Sequence, residues 1–102
     1  MITLKKINSP SKTVLDIIKQ RIRGSGELKR EWEESDHSAI ALLHGNPVEL
    51  LFAADLAQKA AKLSIFELTG SCQFHFSMLV FVGDVASISM AVETVNNCFG
   101  KK

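Results

Sequence analysis

The sequence predicts a small α/β fold, an α+β sandwich in which three helices pack on a four-stranded sheet. Three observations carry this. Short apolar strand-like runs alternate with amphipathic helical patterns along the chain. One run, 74–82, alternates cleanly between two faces. Two helix starts carry capping residues at the right spacing.

Residues 2–7, Ile2 to Ile7, read as a short strand. Ser9-Pro10-Ser11 supplies helix-start chemistry, with Pro10 expected at the first helical position, where a missing N–H costs nothing. Val14, Leu15, Ile18 and Ile22 recur at helical spacing, opposite Asp16, Lys19, Gln20 and Arg23. Gly24-Ser25-Gly26 stops that helix. The stretch from Glu27 to His37 is the most charged in the chain and holds its one tryptophan, Trp32. It reads as a solvated connection with one anchoring aromatic, either a plain surface loop or one that contains a hairpin.

Ala39 to Leu43 form the second strand, broken by Gly45-Asn46-Pro47. Asn46 is a good N-cap, Pro47 suits the first helical position, and Glu49 follows three residues after the cap. Leu50, Ala53, Ala54, Ala57, Ala60 and Ala61 make one side of this helix, whose small residues predict close packing. On the other side Asp55 stands four before Lys59, the favourable order for an ion pair. Ile65 to Leu68 is a strand, 69–73 a turn, and Phe74 to Val82 a long strand. Phe74, Phe76, Met78, Val80 and Val82 share one face; His75, Ser77, Leu79 and Phe81 share the other. Asp84 can cap a last helix lined by Ile88, Ala91, Val92, Val95 and Phe99. The predicted order is β-α-β-α-β-β-α.

The 102 residues fit one domain, divided into 2–23, a charged connection at 24–38, and a remainder at 39–102. Twelve basic and eleven acidic side chains leave a net charge of +1. That balance argues against a nucleic-acid or anionic-membrane binder. No apolar run nears the ~20 residues of a membrane span, and the start lacks a signal peptide's apolar stretch. A cytoplasmic chain with reduced thiols is expected.

No catalytic constellation is present. Gly24-Ser25-Gly26 follows a helix, whereas a dinucleotide loop follows a strand. His37, His44 and His75 show no metal-ligand spacing with one another. Cys72 and His75 stand three apart, a weak signal. Cys98 falls on the apolar side of the last helix and is expected to act as a small buried hydrophobe. Cys72 sits in a Gly-Ser turn, where an exposed thiol is either incidental or a ligand. An enzyme is not expected.

From Ala39 onward the chain resembles a bacterial microcompartment (BMC) shell domain. Asn46-Pro47 through Leu63, with Ala53-Ala54-Asp55 and Gln58 to Lys62, is similar to that family's first helix. Thr69-Gly70-Ser71-Cys72 falls where the family has its pore loop, and Phe81 to Ser87 followed by Ala91-Val92-Glu93 resembles its next strand-to-helix signature. The family's usual final strand and helix are missing after Phe99. A strand, a Pro-containing loop and a helix stand instead at 2–23, the order of a circularly permuted BMC domain.

The resemblance implies a structural shell protein, localised to a microcompartment in the cytoplasm. It implies a cyclic homo-oligomer, a hexamer or a pentamer, with other shell proteins and encapsulated enzymes as partners and neither nucleic acid nor membrane among them. Gly70, Ser71, Cys72 and Gln73 would ring a central pore. Lys59 matches the lysine at the edge between neighbouring rings, and Pro10 belongs to the edge loop. The family's usual arginine there is absent, since Ser9 and Ser11 flank Pro10, which weakens the expectation of flat tiling. The N-terminal plug of some permuted members is not expected, because the first strand begins at Ile2.

A pore-loop cysteine resembles the permuted shell proteins of glycyl-radical-enzyme compartments, which are associated with iron–sulfur clusters. The implied cofactor is a 4Fe–4S cluster held by Cys72 thiolates from several copies, serving electron transport or cluster exchange. Such a cluster takes about four thiolates, so only a symmetric ring could gather them. Gln73 and His75 are candidates for its surroundings. Two alternatives stay open: a shell protein with a plain polar pore for a small metabolite and no metal, and a free small-molecule-binding regulatory domain.

Overall fold

The computed structural model describes residues 2–69 and 77–99. It contains β1 (Thr3–Asn8), α1 (Lys12–Arg21), α2 (Gly26–Glu34), β2 (Ala39–Gly45), α3 (Pro47–Ala60), β3 (Ser64–Leu68), β4 (Ser77–Gly83) and α4 (Val85–Cys98). The strands form one antiparallel sheet in the order β1-β2-β4-β3. The α/β sandwich is as expected, with one more helix than the sequence suggested.

Period-two alternation sorts the strand side chains into two cores, one on each face of the sheet. Ala39, Ala41 and Leu43 of β2 and Leu79 and Phe81 of β4 meet Leu50, Ala53 and Ala57 of α3 and Ile88, Ala91 and Val95 of α4. On the opposite face Ile40, Phe66, Leu68, Val80 and Val82 meet Ile18, Ile22 and Trp32. The central strands β2 and β4 are thus covered twice, which is why both read as apolar runs. The alternation expected along the long strand holds for Met78, Val80 and Val82 against Leu79 and Phe81. Its first residues, Phe74 to Phe76, lie outside the described residues.

The charged stretch corrects the sequence expectation. It contains α2, not a solvated connection. The Ser25 hydroxyl oxygen accepts from the Glu27 N–H at 3.2 Å, which caps the helix. Trp32 is 2% exposed and meets Phe66 edge-on, ring centroids 5.6 Å apart. Leu28, one helical turn earlier, stands 37% exposed, so a single aromatic does most of the anchoring. With nearly every other position charged, the apolar periodicity that marks a helix was too sparse to see. Gly24, which ends the α1 segment, has φ +126°, and a Cβ there would run into the Leu28 side chain.

A second correction concerns Pro10. It precedes the helix instead of opening it: Ser11 is the N-cap of α1 and its hydroxyl oxygen accepts from the Val14 N–H at 3.2 Å. Asn46 and Asp84 cap α3 and α4 as expected, accepting from the N–H of Glu49 at 2.9 Å and of Ser87 at 2.8 Å. Past α1 the chain lies along β3: Ile22 bridges Leu68, and the Arg23 N–H donates to the Glu67 carbonyl at 2.9 Å. This covers part of an otherwise open sheet edge.

Cys98 is the third correction. It is exposed. Phe99, four residues after the buried Val95, takes the inward direction and packs against the first core, leaving Cys98 to face outward.

Candidate pore end and rim

Strand register assigns every loop to one of two ends of the sheet. Gly45 pairs with Ser77, Leu68 with Met78 and Thr3 with His44 at one end. Ala39 pairs with Gly83, Ser64 with Val82 and Asn8 with Ala39 at the other. Residues 70–76 connect Thr69 to Ser77, and both of those belong to the first end. The expected pore-loop residues Gly70, Ser71, Cys72 and Gln73, together with His75, lie outside the described residues.

The helices on the first core run between the same two ends. Only residues 61–63 separate α3 from Ser64, so a few residues' reach ties the end of α3 to the second end. α3 therefore starts at the 70–76 end and carries Lys59 to the opposite one. α4 leaves the second end directly after Gly83 and returns, as the Phe52–Phe99 contact shows, with ring centroids 6.0 Å apart. Cys98 thus joins the 70–76 end. The sequence placed it in the core, and only the packing of its neighbour Phe99 revealed otherwise.

Pro10, two residues beyond Asn8, shares the second end with Lys59. The strand ends that flank 70–76 and the residues expected at an edge, Pro10 and Lys59, are therefore separated by the length of the sheet. The second end carries two exposed ion pairs of i,i+4 spacing, Lys12–Asp16 and Asp55–Lys59, each at 2.9 Å. The hydrogen bond and charge of Asp16 hold the Lys12 ammonium above its ordinary range. Pairs this exposed add little to stability.

A shallow cleft of about 510 Å³ separates α1 from α2, lined among others by Lys12, Asp16, Lys19, Glu33 and His37. Its polar walls are paired with one another: Lys12 with Asp16, Lys19 with Glu33, and His37 with the Trp32 carbonyl. Among the described residues no group of three or more His, Cys, Asp or Glu could hold a metal ion. Among them also, no helix is long and apolar enough to cross a membrane.

An antiparallel β1-β2-β4-β3 sheet with helices packed on both faces defines an α/β sandwich module. The chain belongs to the bacterial microcompartment family: residues 39–102 match the family described as BMC domain. Three solved shell proteins share its fold. The GrpU microcompartment shell protein from Pectobacterium wasabiae is 26% identical, with a TM-score of 0.68 over 92% of this chain and 99% of that one. GrpU from Clostridiales bacterium 1_7_47FAA is 23% identical, with a TM-score of 0.65 over 92% and 87%. The fused permuted hexameric shell protein MSM0275 from the RMM microcompartment is 15% identical, with a TM-score of 0.71 over 98% of this chain and 46% of that one. The permuted order is thus that of a known shell protein. A search of curated proteins found no match.

Proposed function

We propose that this chain is a structural shell protein, not an enzyme, which closes into a ring of six with residues 70–76 of every copy around a central pore. The observation that carries this reading is the separation of the two ends. Copies arranged about an axis through the 70–76 end turn Pro10 and Lys59 outward, where neighbouring rings and other shell proteins would meet them. MSM0275 is described as hexameric, which supports six over five. The shell would place the chain around encapsulated enzymes of the glycyl-radical type.

The finer part of the proposal concerns Cys72. Within one copy the residues do not fit an iron–sulfur cluster, which takes about four thiolates, because the chain has two cysteines in all. A ring removes that shortfall by bringing one Cys72 from each copy to the axis, and there the cluster would serve electron transfer or exchange. Cys98 is exposed and lies toward the end where Thr69 and Ser77 stand, so it must be controlled for.

The deciding experiment is iron and sulfide analysis, with a visible spectrum, on oligomer purified without oxygen. Iron with inorganic sulfide that vanishes in Cys72→Ser but persists in Cys98→Ser supports the cluster. A well-formed ring without iron leaves a shell protein with a plain polar pore.

A further inference from the structure

We propose that Val48, Leu51 and Phe52 on the first two turns of α3 are the surface by which one copy of this chain seats against the next around the pore. The inference rests on the ring reading above and specifies where its copies touch. These three side chains are 79%, 69% and 51% exposed. At spacings of three and four they form one continuous stripe on the helix. The other exposed large apolar side chains among the described residues, Ile17, Leu28, Val85 and Met90, are spread over three helices.

What identifies the occupant is a change of chemistry along α3. Its exposed positions are apolar over the first two turns, Val48, Leu51 and Phe52, and polar over the last two, Asp55, Gln58 and Lys59. The apolar half lies at the end where Thr69 and Ser77 flank residues 70–76; the polar half lies at the opposite end. Copies packed around an axis converge toward it and diverge away from it, so a neighbouring copy covers the inner half of the helix and leaves the outer half in water. A partner lying flat along the helix would cover both halves alike and gives no reason for the gradient. The stripe is also preorganised, since Phe52 is held edge-on by Phe99, which lowers the ordering cost of association. A ring joins two different surfaces of each copy, and the stripe is one of the two.

The test measures mass by sedimentation in the full chain, with the emission of the buried Trp32 reporting that the fold is kept. Leu51→Glu and Val48→Glu, both at well-exposed positions, should each reduce the ring to the mass of one chain, 11.2 kDa, with Trp32 emission unchanged. Leu51→Ala should keep the ring but raise the concentration at which it dissociates about tenfold or more. Ile17→Glu, at an apolar position of equal exposure to Phe52 on α1, should leave the mass at the wild-type value.

Rings of wild-type mass and dilution stability in Leu51→Glu and Val48→Glu would overturn the proposal and free the stripe for an encapsulated protein. Dissociation by Ile17→Glu as well would overturn it by showing that any added charge breaks the ring. A wild-type chain that sediments as a monomer at every concentration would remove the ring reading itself, an outcome separate from the other two.

Discussion

His37 lies over the indole of Trp32, ring centroids 4.6 Å apart, and its Nε2 donates to the Trp32 carbonyl at 2.7 Å. The chain leaving α2 thus folds back onto the aromatic that anchors it. With Phe66 on the indole's other contact, Trp32 is held from both the sheet and the loop. Trp32→Ala should therefore cost about 3–5 kcal/mol, the range for emptying a large core site. Chemical denaturation followed by circular dichroism reads this, and a loss under about 1 kcal/mol would mean that α2 is dispensable to the fold.

Asn46 makes a simpler prediction. Its side-chain oxygen satisfies one of the N–H groups that the start of α3 leaves unpaired. Asn46→Ala should lower stability by about 1 kcal/mol, while Asn46→Asp should be close to neutral. Equal loss in both variants would show that Asn46 acts through something other than capping.

Asp84 carries a pH dependence. Hydrogen bonds from the backbone N–H and then the hydroxyl of Ser87 hold its carboxyl below the ordinary value of 3.8. A carboxyl depressed in the folded state stabilises it at pH values above the unfolded value, and that contribution disappears as pH falls through the folded value. Comparing acid unfolding of wild type with Asp84→Asn should show an extra loss in wild type below about pH 4. Parallel curves would remove this linkage.

Lys59 should matter between rings and hardly at all within a chain. Its pair with Asp55 is 75% and 58% exposed at the two side chains, so Lys59→Ala should change folding stability by no more than about 0.5 kcal/mol. On the ring reading, the same variant should weaken association of rings into sheets or shells, read by light scattering and electron microscopy. Intact sheets in the variant would deny Lys59 an edge role.

Local chemistry made α3, α4 and the central strands legible. Asn46-Pro47 and Asp84 announce helix starts through side chains that act on their own nearest N–H groups, so no distant contact is needed to see them. The two faces of β4 were equally plain, because alternation has a period of two whatever covers it. α2 was not legible. Its one buried residue, Trp32, meets Phe66, 34 residues away in sequence, and nothing local distinguishes such a helix from a charged loop. Cys98 was misplaced for a related reason: helical spacing allowed either Cys98 or Phe99 to turn inward, and the larger apolar ring meeting Phe52 decided it.

By itself the sequence determined the class of fold, the strand faces, two of the capped helices and the kinship with shell domains, all of which rest on short-range patterns. The tertiary structure alone decided that Pro10 and Lys59 stand at one end of the sheet while the strand ends flanking 70–76 and the exposed apolar half of α3 stand at the other. That assignment comes from antiparallel register, in which hydrogen bonds between distant segments set which loops share an end. No residue's own preferences contain it.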